Sequence, residues 1–256
     1  MNGHGELEGK SMLVTGGTSG VGLAIACAAA RRGATVTVTG RSEERGLRAQ
    51  ERLKAIASAS SFIQCDSGVY ADTARAVAEA AAVSGRLDIV VSAGAEGAVK
   101  PTPFAEMTPD ELRSGFESRL YPRIYPVHAS IPWLRKKAGG AIVMITTDAA
   151  RHPTPGEAVI GAAGASILLL TKALAREFGR WSIRVNAVAM TLTSDTPSWD
   201  RIFGTQSFEN RLFSKALARF PQGRAPTADE VADAALYLAS DRAPQITGQT
   251  LAVNGG

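Results

Sequence analysis

The chain reads as an α/β protein: a parallel sheet with helices on both faces. Three observations lead there. Short apolar runs alternate with Ala-rich or amphipathic stretches along most of the 256 residues. The first run, Lys10-Ser-Met-Leu-Val14, leads into a glycine-rich turn, Thr15-Gly-Gly-Thr-Ser-Gly-Val-Gly22, and then into a helix-like stretch, Leu23 to Arg32. The segments between strand candidates are long enough to hold a helix, as parallel crossovers require. Hydrophobic side chains make up 45% of the chain, which supplies a full core. No repeat or linker divides it, so residues 1–256 read as one domain.

The glycine turn carries the first functional signal. Glycine has no Cβ, so the backbone can turn sharply and approach a ligand closely. A strand, such a turn and a helix N-terminus together present free N–H groups and a positive dipole end to phosphates. The spacing Gly-x-x-x-Gly-x-Gly in that context predicts a dinucleotide site formed by Gly16, Thr18, Ser19, Gly20, Val21 and Gly22.

The remaining elements follow in order. Thr35 to Thr39 is a β-rich second strand ending at Gly40-Arg41-Ser42, and Glu43 to Ala57 is a polar helix. Ser61 to Cys65 is a third strand closed by Asp66-Ser67-Gly68, Ala71 to Val83 a helix, and Leu87 to Val91 a fourth strand ending in Ser92-Ala93-Gly94. Thr108 or Asp110 caps a helix running through Arg119. Pro122, Pro126 and Pro132 predict a break or kink before Lys137. Gly140 to Ile145 is a fifth strand, Gly161 to Phe178 a long Ala/Leu-rich helix, and Ile183 to Val188 a sixth strand. Thr191 to Phe220 reads as irregular with short helices. Thr227-Ala-Asp-Glu230 is a capping box opening a helix to Leu238, and Thr250 to Val253 is the last strand.

Composition narrows the function classes. The net charge is +4 and no basic arm is present, which argues against a nucleic-acid partner. Two unpatterned cysteines, Cys27 and Cys65, suggest a reducing, cytoplasmic setting and no metal site. Met1 to Gly9 lacks the apolar core of a signal peptide. No stretch reads as long and apolar enough to span a membrane.

Taken together, Thr15-Gly16-x-x-x-Gly20-x-Gly22, Asp66, Arg184-Val-Asn-Ala187, Ile246-Thr-Gly-Gln249 and Asn254-Gly-Gly256 resemble the short-chain dehydrogenase/reductase family over nearly the whole chain. The resemblance implies a single Rossmann-type, doubly wound domain with a seven-stranded parallel sheet. It implies a nicotinamide cofactor at the strand ends where the order reverses, with Ala93 and Gly94 against it and Asp66 on the adenine. A homo-oligomer, tetramer or dimer, is also implied. Where an NAD site carries an acid after the second strand, this chain has Gly40 and then Arg41. Arg41 can pair with a 2′-phosphate, which favours NADP over NAD.

The resemblance also locates the chemistry, and there the chain departs from the family. The family's serine position falls on Thr147. In the register set by Leu169-Leu-Thr-Lys-Ala173, its tyrosine position falls on Ile160 and its lysine position on Gly164. Its asparagine position falls on Arg119. Isoleucine moves no proton, and glycine holds no ribose, so cofactor affinity should be reduced. Replacement groups are available: Arg119 and Thr147 as oxyanion donors, and His152 or Glu157 as acid or base. Arg119 could instead bind a substrate carboxylate or phosphate. Three functions therefore stand open: an NADP(H)-linked oxidoreductase of atypical site acting on a small molecule; an isomerase or lyase on the same scaffold; and a silent nucleotide-binding homologue. Trp199, Phe203, Phe208 and Phe213 suggest an apolar or aromatic substrate.

Overall fold

The computed structural model describes residues 5–94, 99–137 and 139–256. The strands are β1 (Ser11–Thr15), β2 (Thr35–Gly40), β3 (Ser61–Gln64), β4 (Ile89–Ser92), β5 (Gly140–Thr147), β6 (Ile183–Met190) and β7 (Thr250–Val253). They form one parallel sheet in the order β3-β2-β1-β4-β5-β6-β7. The helices are α1 (Gly20–Arg31), α2 (Glu43–Lys54), α3 (Tyr70–Ser84), α4 (Pro109–Lys136), α5 (Ala158–Phe178), α6 (Pro197–Phe203), α7 (Phe208–Leu217) and α8 (Ala228–Ala239).

Strand periodicity builds the two cores. Side chains alternate across a sheet. Met12, Val14, Ile89, Val91, Val143 and Ile145 therefore join α1 and α8 on one face. Leu13, Val90, Ile142 and Met144 join α3, α4 and α5 on the other. Both faces are covered, so the strands are apolar throughout. The chain crosses between halves at β1 and β4, and the cleft opens at the carboxyl ends of those strands, at the switch point.

α4 departs from expectation. It begins with the capping box Thr108/Glu111 and continues for 28 residues with Pro122, Pro126 and Pro132 inside it. A proline in a helix interior costs about 3 kcal/mol in isolation. Tertiary contacts compensate here: α4 packs against α3, α5, β4 and β5. Pro126 is itself buried in that packing. Two side-chain bonds also tie down the middle of α4: the Ser92 hydroxyl donates to the Arg123 carbonyl at 2.8 Å, and Arg123 Nη1 donates to the Arg119 carbonyl at 2.7 Å.

α5 corrects a second expectation. With its following turn, Ala158–Trp181 is long and apolar enough, by length and composition, to cross a membrane. In this fold it lies against β6, β5 and α4, with Ile160, Ile167, Ala175 and Phe178 buried. A helix apolar on more than one face is what a core position between sheet and neighbouring helix demands. Both cysteines are buried and unpaired, and burial pushes the Cys65 thiol up to about 11.

Candidate active site

The cleft encloses about 1080 Å³. Its glycine bed packs without tolerance. A Cβ on Gly16, where φ is +66°, would meet the Gly94 Cα at 2.6 Å. One on Gly22 would meet the Gly16 carbonyl oxygen at 2.2 Å. Ser19 takes the N-cap position of α1, yet its side chain makes no capping bond, and no acid occupies the first turn. The leading N–H groups of α1 therefore face the cleft, as a diphosphate requires. Thr18, Ser19, Gly20, Val21, Arg41, Asp66, Ala93 and Gly94 all line the same cleft. Asp66 also accepts from the Gly68 N–H at 2.9 Å, which shapes its own turn. These residues fit a bound dinucleotide.

Across the cleft stand groups from α4, the end of β5 and the start of α5. Arg119 Nη2 donates to the Val99 carbonyl at 2.6 Å, while its buried Nε has no acceptor among the described residues. Burial lowers the Arg119 pKa, and Glu157 and Glu209 partly restore it. Burial pushes the Glu157 carboxyl above its ordinary value, with Arg119 and the Thr154 hydroxyl opposing. Thr147 Oγ1 accepts from the Ala149 N–H at 3.2 Å, leaving its own proton free to donate. Ile160 lines the cleft where the resemblance places the tyrosine. Gly164 sits directly behind Thr147: a Cβ there would meet Thr147 Cγ2 at 2.7 Å and Ala150 Cβ at 2.9 Å.

The comparisons with known proteins agree with this architecture. A family model described as enoyl-(acyl carrier protein) reductase matches residues 16–256. The chain belongs to the short-chain dehydrogenase/reductase family. Among curated relatives, a 3-oxoacyl-(acyl-carrier-protein) reductase FabG of Chlamydia muridarum is 33% identical, covering 98% of each chain. A 2,3-dihydroxy-2,3-dihydro-p-cumate dehydrogenase of Pseudomonas putida is 32% identical over 98% of this chain and 95% of its own. A solved short-chain type dehydrogenase/reductase from Mycobacterium ulcerans superposes with a TM-score of 0.90 at 26% identity, covering 98% of this chain and 90% of that one. Family members are oxidoreductases that use nicotinamide cofactors.

As a short-chain dehydrogenase/reductase, the protein brings together Arg119, Thr147 and Glu157 in the cleft. His152 is left outside its lining, with a side chain 67% exposed and Nε2 3.9 Å from Asp148 Oδ2. The turn that follows Asp148 directs His152 to solvent, which weakens its claim to proton transfer. Of the four aromatics on α6 and α7, only Phe213 is among the cleft-lining residues. Trp199 and Phe203 pack on each other with centroids 4.4 Å apart, and Phe208 lies over Gly156.

Three charged residues escaped the sequence reading. Arg123 Nε donates to the Ile145 carbonyl at 2.7 Å, at the cleft end of β5. Its helical spacing from Arg119 was the available signal. Asp148 accepts from Asn254 Nδ2 at 3.2 Å and keeps a buried Oδ1 with no partner among the described residues. It follows Thr147 directly, so position alone could have flagged it. Glu209 is buried and paired with Arg201 at 2.8 Å. It lies in the stretch read as irregular, where no pattern singled it out.

Glu157 yields a stability prediction. A carboxyl whose folded pKa is raised holds its proton more tightly in the folded state. Its contribution is present below the ordinary value of 4.5 and is lost as pH rises through the raised folded value. Urea midpoints at stepped pH should therefore fall as pH rises from 4.5 through that value, in the native protein more than in Glu157→Gln. Parallel profiles in the two proteins would show that Glu157 titrates normally.

Proposed function

We propose that the protein is an NADP(H)-linked oxidoreductase acting on a small carbonyl or alcohol, with Arg119 and Thr147 in place of the family's usual oxygen-activating set. The observation that carries this reading is the buried, acceptor-free Nε of Arg119 in the cleft that also holds the Thr147 hydroxyl. A buried donor without an acceptor calls for an explanation, and within a cleft a ligand oxygen supplies one. When bound, the nicotinamide supplies or accepts a hydride at the substrate carbon. Arg119 and Thr147 then stabilise the negative charge that gathers on the substrate oxygen. Glu157, whose carboxyl burial pushes above its ordinary value against the pull of Arg119, exchanges the proton with that oxygen directly or through water. The names of the relatives, one a 3-oxoacyl reductase and one a dihydrodiol dehydrogenase, support carbonyl–alcohol chemistry without choosing the substrate.

Preference for NADP rests on the end of β2. Arg41 and Arg45 both line the cleft there. A side chain at position 40, where NAD-binding members carry an acid, has no room: a Cβ on Gly40 would meet Thr18 Oγ1 at 2.7 Å. The Arg41 backbone is held by Gln64 Nε2 at 2.9 Å. Isothermal titration should show tighter binding of NADPH than NADH. Arg41→Ala should weaken NADPH by about tenfold, the worth of one charged hydrogen bond at a solvated rim, and leave NADH unchanged. Equal affinities, insensitive to Arg41→Ala, would remove the NADP assignment. A panel of ketones and alcohols then tests the chemistry: bound NADPH with no turnover on any of them would favour the silent homologue.

We also infer a homo-oligomer in solution. Leu169 on α5 and Phe116 and Tyr121 on α4 are large, apolar and exposed, at 70%, 37% and 40%. Exposed apolar side chains on two helices that pack together support a protein interface on that side.

A further inference from the structure

We propose that Glu209 is a positioning residue for the proton-transfer step: carried into the cleft on α7, it competes with Glu157 for the charge of Arg119 and so leaves Glu157 able to hold a proton. The proposal rests on the oxidoreductase reading, in which Glu157 exchanges a proton with the substrate oxygen.

Glu157 faces two opposed demands. Reduction of a carbonyl asks it to carry a proton, yet a guanidinium in the same cleft favours the ionised carboxylate. A second carboxylate in the field of that guanidinium relieves the conflict. Glu209 is buried and lines the cleft together with Arg119 and Glu157. Its charge acts on both neighbours: it favours the cationic form of Arg119 and disfavours the anionic form of Glu157. Packing brings it there. Phe208, one residue before Glu209, lies against Gly156, one residue before Glu157, and a Cβ on Gly156 would come within 2.9 Å of the Phe208 ring. The start of α7 is thereby seated on the turn that enters α5. Asn210 Nδ2 donates to the Ile202 carbonyl at 3.1 Å and ties α7 to α6. From α6, Arg201 Nη1 donates to Glu209 Oε2 at 2.8 Å, which supplies the charged partner that a buried carboxylate needs. The groups acting on Glu157 are thus Arg119 from α4, the Thr154 hydroxyl from its own turn and Glu209 from α7. Lys100, Arg123, Asp148 and Arg201 line the same cleft.

The test needs no knowledge of the natural substrate. The carboxyl carbons of the glutamates are followed by NMR across a pH series in the full chain, and the Glu157 signal is assigned by its loss in Glu157→Gln. Glu209→Gln keeps the shape but removes the charge, and should lower the Glu157 titration midpoint by about one pH unit, a tenfold change in proton affinity. Arg201→Gln removes the cation that answers Glu209 and should raise that midpoint. The opposite signs separate charge from structure, because a loosened α7 would admit water to Glu157 and lower the midpoint in both variants. A midpoint that stays in place in both variants, or falls in both, overturns the proposal. Should one variant fail to fold, the other decides: a fall in Glu209→Gln at an unchanged urea midpoint, or a rise in Arg201→Gln, supports the proposal, and no movement overturns it. The expected movements in a chain that turns over nothing on the ketone and alcohol panel would sink the oxidoreductase reading and keep the coupling between the two acids. Turnover with an unmoved Glu157 midpoint would do the reverse.

Discussion

Arg119→Ala should lower turnover by roughly 10²–10³, the usual cost of removing one donor aimed at a developing oxyanion. That loss corresponds to about 3–4 kcal/mol of barrier. The size follows from the setting. The Arg119 guanidinium is partly buried, tethered to the Val99 carbonyl at 2.6 Å and left with a free Nε. A donor held in place before the reaction needs no reorganisation when charge appears. The measurement is kcat on whichever substrate the panel reveals, in native protein and variant, with the urea midpoint confirming that the variant is folded. Arg119→Lys keeps the charge but not the fork, and should recover only part of the loss. Full activity in folded Arg119→Ala would show that Arg119 merely pins the loop at Val99.

A tyrosine and a lysine introduced at residues 160 and 164, where the resemblance places the family's pair, should not raise activity. Ile160→Tyr with Gly164→Lys puts the expected side chains at the expected register, yet α5 sits too close to β5 to accept the second. The Cβ alone on residue 164 would meet Thr147 Cγ2 at 2.7 Å and Ala150 Cβ at 2.9 Å. Overpacking of this kind costs about 1–3 kcal/mol. Removing a helical glycine returns about 0.5–1 kcal/mol, too little to offset it. Thr147, a proposed donor, must move to relieve the clash, so both stability and turnover should drop. Gly164→Ala isolates the effect, and Gly179→Ala is the control, since nothing lies within 4 Å of a Cβ there. A more active double variant would mean that the β5–α5 contact yields and that the close packing is incidental.

Much of the fold was legible because it depends on local pattern. Alternating apolar runs located all seven strands, and β7, Thr250–Val253, matched to the residue. The capping box at Thr227 opens α8 as its side chains dictate. The unbroken α4 was not legible. Pro122, Pro126 and Pro132 each argue against a helix locally, and only contacts with α3, α5 and the sheet outweigh them. The apolar length of α5 was likewise ambiguous until its partners were known.

For the site, the sequence by itself determined the glycine bed, because a tight turn between a strand and a helix leaves few other residue choices. It also offered Arg119, Thr147, Ile160 and Gly164 as the residues at the family's chemical positions, through the resemblance alone. Tertiary structure alone decided which charged groups meet. Arg123, Asp148 and Glu209 come to the cleft from three different segments. His152, adjacent in sequence to such residues, turns outward. Charge and burial at a site are sums over neighbours distant in sequence. The meeting of Arg119 with Glu157 and Glu209 in one cleft exists only once α4, α5 and α7 are packed together.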